Sequence, residues 1–596
     1  MWAAALLVAA STAVALASRL HRLDEPPTPV FDEYHVGRFV LWIDEQMDSF
    51  DLHPPLLKMV YHAVSRALGH GGRADCGYGA SDPFVADHTV PYEKCSMWQL
   101  RATPAVCGAL LVPTYLLTVR RLGVRWGAAT LGTALLLCDN MFFALSRLHM
   151  LDMGTVFLVA LTILCSLGAQ DASARGGAGA PRAACLLLLN GLLLGLALAS
   201  KFAMALPTVA WLGAQNLAAL RSRAHDAAAE ASAGGEGTAL RTLLWLAVDC
   251  AIRGVGLLGG ALAAYLGVLT LHFSSIPMQQ WKSEHYTAAG PPYDDLGGQP
   301  CWHCVPPRSG AAPFATLWQR IDDYSKNQWA YNSKMDAHFP PGTHPFGSRW
   351  WSWPLNLRGI HFDLSSAGAS AVYLVGNPVV GLSATVCVVL AIAYVAFAWA
   401  GLTREPSAGG AAAAGERRLP SVSLALGGYL LHYLPFAFVA RDCFLTYYIL
   451  AQYFALLTLA IVLDMLWGGG PKGRAAMAML ALGAAAVFVY LTPLSYADGS
   501  MAEYYDRARL ASVECWFDKD CWASQASAGP AAGAAAAAGG PADAGAEAGR
   551  GGGCFDNDRL LSEVVGKPMS CEVVRDAGMC SVLEGTPAQD ACSCSC

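Results

Sequence analysis

The apolar positions of this chain fall into long runs separated by short polar stretches. By the rule that about 20 apolar residues cross a hydrocarbon core, about eleven of these runs are predicted spans, at 2–18, 101–119, 127–145, 153–168, 183–199, 203–220, 254–272, 374–400, 421–440, 444–466 and 475–492. Between them the pattern changes period. FVLWIDEQM, between Arg38 and Asp48, is amphipathic, and LLKMVYHAVSRALG after Pro54-Pro55 has apolar residues at helical spacing, so two short surface helices are predicted there. The two prolines suit the first turn of the second helix, where a missing N–H is harmless. LWQRIDDYSKNQWAYNSKM carries aromatics at helical intervals and is predicted to lie along the membrane surface. The small and polar residues from Ala227 to Gly237 predict a loop without regular structure.

Composition agrees with a polytopic membrane protein. Of 596 residues, 55% are apolar and only 14% charged, too few charges for an ordinary soluble enzyme. The net charge of -6 carries less information than where the positive residues stand, and nothing in it points to a nucleic-acid surface. With the N-terminus cytoplasmic, alternate loops hold Arg120, Arg121 and Arg125; Arg175 and Arg182; Arg221, Arg223 and Arg241; Arg404, Arg417 and Arg418; and Lys472 and Arg474. All the cytoplasmic loops are then basic, as the positive-inside bias requires. The long loops 19–100 and 273–373 and the tail after 493 fall on the opposite side. So do Cys76, Cys95, Cys301, Cys304, Cys515, Cys521, Cys554, Cys571, Cys580, Cys592, Cys594 and Cys596, an even set suited to disulfides in an oxidising lumen, with the endoplasmic reticulum the best fit. The other seven cysteines lie in or beside spans as small apolar residues.

Candidate chemistry concentrates in the first long loop. Asp32 and Glu33 emerge directly after the first apolar run, followed by Asp51 and His53-Pro54-Pro55. Carboxylates beside a membrane are costly to desolvate, which makes them candidates for proton transfer as well as for a solvated turn. The string FDEYHVGRFVLWIDEQMDSFDLHPPLLK resembles the first extramembrane loop of the protein O-mannosyltransferases, with Asp32-Glu33, His35, Gly37-Arg38-Phe39 and Phe50-Asp51-Leu52-His53-Pro54-Pro55-Leu56 in order, then Lys58; Leu57 stands where the family usually has Gly. Further strings follow in the family's order. Asp139, Asn140, Ser146, Arg147 and Leu151-Asp152 reproduce one, Lys201 in GLLLGLALASKFAMALP another, and His344-Pro345-Phe346, Ser348, Trp353-Pro354-Leu355 and Arg358 a third. On chemistry alone, Arg147 and Asp152 could be a local ion pair and Lys201 a snorkelling side chain. Near Arg441 the match is partial: Phe444, Tyr448 and Ala451 agree, while Tyr447 replaces a His and Leu450 a Pro.

The resemblance implies an all-α GT-C glycosyltransferase fold with its active site at the lumenal face of the endoplasmic-reticulum membrane. It also implies transfer of mannose from dolichyl-phosphate mannose to Ser or Thr hydroxyls of translocating polypeptides. Asp32 would be the base and Glu33 would orient acceptor or sugar. Arg147, Lys201, Arg441, His53 and Arg358 would contact the donor's phosphate or sugar, and Asp51, His344 and Trp353 would position acceptor or loop. No cofactor or metal beyond the lipid-linked donor is implied, and the partner would be a second family member in a homo- or heterodimer. Two alternatives are another polyprenyl-phosphate sugar transferase and a non-catalytic subunit of such a dimer.

The expected organisation is a transmembrane region 1–272 with the catalytic loop 19–100, a large lumenal loop 273–373, a second transmembrane region 374–492, a lumenal segment 493–524, an Ala/Gly-rich linker 525–553 and a Cys-rich module 554–596. The large loop is too short for the three MIR repeats most eukaryotic members carry there. Its Cys301-Trp302-His303-Cys304 suits a short-loop disulfide better than a metal site, and six cysteines in the last module suit a disulfide-stapled fold.

Overall fold

The computed structural model describes residues 2–27, 29–44, 51–72, 96–175, 180–233, 236–276, 316–338, 347–364, 371–401, 418–467 and 470–516. All belong to the first of the two units into which the chain divides, Met1–Ala538 and Gly539–Cys596. The Ala/Gly-rich linker and the Cys-rich module therefore lie outside the described residues.

The body is a helical bundle. In chain order it comprises α1 (Trp2–Leu20), α2 (Glu33–Asp44), α3 (Leu56–Ala67), α4 (Met97–Arg121), α5 (Trp126–Leu137), α6 (Asn140–Arg147), α7 (Leu151–Ser173), α8 (Ala180–Leu198), α9 (Phe202–Ala233), α10 (Glu236–Gly254), α11 (Gly260–Ser274) and α12 (Leu317–His338). A two-stranded antiparallel ribbon follows, β1 (Ile360–Leu364) with β2 (Ala371–Leu374), pairing Ile360 with Leu374 and His361 with Tyr373. Then come α13 (Pro378–Trp399), α14 (Arg418–Tyr433), α15 (Ile449–Trp467), α16 (Pro471–Leu491) and, past a short turn, a tail helix Met501–Ala511. Helix α15 is apolar on every face and buried from Ile449 to Leu463, the signature of a central helix.

Among the described residues eight helices are long and apolar enough to cross a membrane, or nine if the bent pair α5–α6 counts as one span. The other two expected spans are helices of a different kind. Helix α1 has a short apolar stretch, Ala4–Leu20. Helix α9 contains Pro207 and carries Gln215, which receives a hydrogen bond from Gln170 (2.5 Å), and Asn216, which receives one from Arg253 (2.8 Å). Polar pairs of this kind hold helices together inside a bundle. The predicted loop at 227–237 is also revised: α9 continues to Ala233 and α10 begins at Glu236, because a run of alanines is the strongest helix former available.

The α5–α6 span breaks at Asp139 with a 53° bend. A break inside a membrane frees backbone groups that must be paired within the protein. Asp139 caps α6 by accepting from the Met141 and Phe142 amides at 2.9 and 3.3 Å, and Gln452 of α15 reaches its other oxygen at 3.2 Å. Asn377 donates to the Cys138 carbonyl at 2.8 Å and to the Ala484 carbonyl at 2.9 Å, while its own oxygen caps α13. Elsewhere α8 and the 256–261 segment approach too closely for side chains. A Cβ on Gly191 would lie 2.2 Å from the Gly256 carbonyl, and one on Gly195 2.3 Å from that of Ala261.

Candidate active site

The two predicted surface helices are present as α2 and α3, and Pro55 is the N-cap of α3. The α3 start is tied to the α8–α9 turn by the Leu56 amide, which donates to the Ala199 carbonyl at 3.1 Å. Asp51 and Lys58 form a buried pair at 2.6 Å, and Lys58 also donates to the His53 carbonyl at 2.7 Å. Helix α12 grips the same segment. Tyr324 donates to the Asp51 and His53 carbonyls at 3.1 and 3.2 Å, and Gln328 to the Leu52 carbonyl at 2.7 Å. Asp51 is thus a loop-fixing residue, and His53 contributes its carbonyl to that arrangement.

Asp32 sits at the entrance of α2, where its carbonyl accepts from the Val36 amide at 3.0 Å. The residue before it, Phe31, has φ of 50°, a left-handed conformation costly for a bulky side chain. Its ring is held by stacking on Phe362 of β1 at 4.6 Å and by an edge contact with Phe444 at 5.9 Å. Those contacts bring the start of α2 to the segment that carries Arg441 and Tyr447. The Asp32 carboxyl is exposed to solvent. It is nevertheless pushed up to about 6, first by burial and then by the charges of Asp152 and Asp51, against the opposing pull of Lys201. Solvent thus reaches Asp32 while other charged groups stand close around it.

Lys201, in the tight turn between α8 and α9, places its ammonium 3.0 and 3.1 Å from the two carboxylate oxygens of Asp152, at the start of α7. Burial draws the ammonium down, but Asp152, with Tyr447 and Asp32, outweighs it and holds Lys201 above its ordinary value. Tyr447 neighbours both cations, its ring 5.7 Å from the Lys201 Nζ and 5.7 Å from the Arg441 guanidinium carbon. The Tyr447 ring is stacked on Phe436, 5.7 Å away with 13° between planes. The cluster therefore combines one accessible carboxylate of raised proton affinity with a buried ammonium and a guanidinium facing the same aromatic ring.

Other expected site residues serve the scaffold. Glu33 is fully enclosed, accepting from Arg101 Nε at 2.9 Å and Nη2 at 2.7 Å and from the Val30 amide at 3.0 Å, with the His149 amide as a further donor. Arg101 extends the clamp to the Pro26 carbonyl at 2.6 Å. The expectation that Glu33 orients substrate is corrected by this geometry, since its oxygens are taken up by Arg101 and two backbone amides. Arg147 is engaged by the backbone. Its fork donates to the carbonyls of Arg19, His21 and Arg22 at 3.1, 2.6 and 2.5 Å and lies 3.9 Å over the Tyr496 ring, a clasp on the 19–25 turn. It does not pair with Asp152, which belongs to Lys201. Arg358 bonds Glu514 in the tail at 2.8 Å. Trp353 donates to the Ser348 hydroxyl at 2.8 Å and packs on Phe436, while the Ser348 amide donates to the Cys443 carbonyl, so this segment braces the Arg441 loop.

His344, Cys76, Cys95, Cys301, Cys304, Cys521 and the six cysteines from Cys554 onward lie outside the described residues. Cys515 is disulfide-bonded, and the seven cysteines read as apolar span residues are free thiols. Among the described residues no three His, Cys, Asp or Glu side chains group as a metal site would need. The residue that sequence reasoning missed is Arg101. A lone Arg in the first turn of an apolar helix requires a buried partner, and that was the available signal.

Comparison with known proteins gives this geometry a family. The model described as dolichyl-phosphate-mannose-protein mannosyltransferase matches residues 9–275, and that for the C-terminal four-transmembrane region of protein O-mannosyltransferase matches 317–514. Dolichyl-phosphate-mannose–protein mannosyltransferase 1 of Candida albicans is 32% identical over 262 residues, 44% of this chain and 27% of the relative. Mannosyltransferase 4 of the same yeast is 33% identical over 152 residues, 26% of this chain and 19% of the relative, and protein O-mannosyl-transferase 2 of Danio rerio is 30% identical over the same shares. The aligned stretches thus span between 19% and 27% of these relatives' length. In fold, the chain is similar to the Saccharomyces cerevisiae protein O-mannosyltransferase Pmt1–Pmt2 complex bound to the sugar donor, with a TM-score of 0.65 at 17% identity, covering 85% of this chain and 92% of that one. Two matched family regions that together take in most of the bundle establish that the chain belongs to the protein O-mannosyltransferase family.

Proposed function

We propose that the protein transfers mannose from dolichyl-phosphate mannose to serine and threonine hydroxyls of polypeptides in the endoplasmic-reticulum lumen. The observation that carries this reading is the accessible Asp32 carboxylate set beside Lys201, with Arg441 near the Tyr447 ring. An acceptor hydroxyl is a weak nucleophile until a base takes its proton, and a base poised near neutrality does so best. In the reaction the acceptor O–H bond breaks toward Asp32. Its oxygen bonds to the anomeric carbon from the face opposite the phosphate, and the sugar–phosphate bond breaks with its electron pair on the phosphate. The sugar inverts, and the charge gained by the departing dolichyl phosphate falls to Lys201 and Arg441.

The basic loops on one side of the bundle and the disulfide at Cys515 support a lumenal site. The names of the yeast and fish relatives support the donor and the protein acceptor. The yeast complex pairs two proteins, which supports a dimer of this chain with itself or with another family member.

The test is transfer of labelled mannose from dolichyl-phosphate mannose to a Ser/Thr peptide by the purified chain in detergent, with Asp32→Asn beside it. The expected loss in the variant is on the order of 100-fold or more, with the unfolding midpoint unchanged or raised, because Asn removes a charge that its surroundings disfavour. Undiminished transfer by Asp32→Asn would remove Asp32 from the role. A wild type that uses only a different polyprenyl-phosphate sugar would change the donor.

A further inference from the structure

We propose that Asp152 is a positioning residue, a buried counter-ion that holds the Lys201 ammonium beside Asp32 while the site is empty and yields it to the phosphate of an arriving polyprenyl-phosphate donor. This rests on the transferase reading above.

Asp152 is 1% exposed and Lys201 8%, and the ammonium meets both carboxylate oxygens. A lone ammonium so enclosed would be costly, and a carboxylate partner removes most of that cost. The ammonium keeps a third N–H, and beside it lies the Tyr447 ring, which attracts cations without binding them as tightly as an anion does. An incoming phosphate diester can therefore share Lys201 without the side chain moving out of place. When the sugar leaves, the phosphate passes toward two negative charges, and the ammonium turns further from Asp152 to meet it.

The surrounding charges fit this exchange. From the α2 entrance comes Asp32, from the segment before α3 Asp51 with its partner Lys58, from the α8–α9 turn Lys201, and near Tyr447 Arg441. Tyr61 of α3 faces the same side with its hydroxyl spent on the Met150 carbonyl. With Asp152 included, three carboxylates oppose three cations in the empty site. The acceptor proton arriving on Asp32 offsets the charge appearing on the phosphate, so the cluster keeps one net charge through the transfer.

Asp152→Asn keeps the size and removes the charge. Dolichyl phosphate titrated into the purified variant in detergent should bind about tenfold tighter than to the wild type, an ordinary size for two ligands competing for one partner. In the transfer assay kcat should fall with KM for the donor, since the product is held longer. The acidic limb of the pH–rate profile should move to lower pH, because an unopposed ammonium favours ionised Asp32. Weaker or unchanged dolichyl-phosphate binding with an unmoved limb would overturn the proposal, since that is what a purely structural aspartate gives.

Should the single variant fold poorly, Lys201→Gln alone and combined with Asp152→Asn decides the matter. The single change should weaken dolichyl-phosphate binding, and Asp152→Asn added to it should bring none of the tenfold gain, since that gain passes through Lys201; a double variant that binds about tenfold tighter than Lys201→Gln overturns the proposal. A wild type that binds dolichyl phosphate but transfers no sugar would overturn the transferase reading alone, and the binding comparison would still decide the role of Asp152.

Discussion

Asp32 and Glu33 share a peptide bond and little else. The Glu33 carboxylate is sealed from solvent, and Arg101 and the backbone amides take its oxygens; the Asp32 carboxyl is open to solvent and stands in a field of mixed charges. The difference arises where the chain enters α2. Phe31, held left-handed by its aromatic contacts, sets the direction of the first turn, and successive residues on a helix diverge by about 100°. One carboxylate is thereby delivered to the arginine of α4 and the next to the cleft. Acidic residues side by side in a sequence thus carry no presumption of a joint task. One of them anchors the loop, and the other is left open to solvent.

The comparison breaks most visibly if the two roles are exchanged. Glu33→Ala leaves the Arg101 charge buried without its carboxylate, a change that costs about 3–5 kcal/mol. The expected result is a sharply lowered unfolding midpoint and poor yield, where Asp32→Asn loses transfer and keeps its fold. A stable but inactive Glu33→Ala would return Glu33 to the substrate. Arg147→Lys tests the second anchor. It exchanges a planar fork that reaches several carbonyls for a point charge, at about 1.5–3 kcal/mol. Dolichyl-phosphate affinity measured on the folded variant should stay within about twofold, and a large loss of affinity would restore Arg147 to the donor site.

The smallest effect is in the pH profile. Asp32 acts as a base only when ionised, so transfer should fall tenfold per pH unit below about 6 and level off above it; an aspartate with an ordinary value would place that limb near 4. The raised value also sets the sign for stability. Asp32 binds its proton more tightly folded than unfolded, so its contribution to stability is fully present below about pH 4 and lost as the pH rises through about 6. Acidification to pH 5 should therefore reduce activity without weakening the fold through this group, which a melting curve run beside the assay checks.

Much of the architecture was legible in the sequence because the signals are local. Long apolar runs give α4, α7, α8, α13 and α15, and helical spacing after Pro54-Pro55 gives α3. The order of motifs identified the loop that carries Asp32. What could not be read depends on partners far along the chain. Arg101 lies 68 positions from Glu33, and Asn377 lies 239 positions from the Cys138 carbonyl it satisfies. Arg147 looked like an anion site because a cation near a membrane face usually needs an anion. In the structure backbone carbonyls and the Tyr496 ring take that place, and backbone acceptors leave no trace in residue identity. The pairing of Lys201 with Asp152 was hidden for a related reason, since Arg147 stood nearer to Asp152 in the sequence.

The clasp on the end of α1 bears on biogenesis. Arg22 pairs with Asp498, 476 positions later, and Arg147 lies against Tyr496, so the turn leading to Asp32 is completed by residues that follow the last span. During synthesis those residues are among the last of the bundle to leave the ribosome. A nascent chain inserted through α15 already holds Arg101 and Arg147 against this turn, yet lacks the Asp498 and Tyr496 groups that complete it. Completion of this turn is thereby deferred until the whole bundle has been threaded.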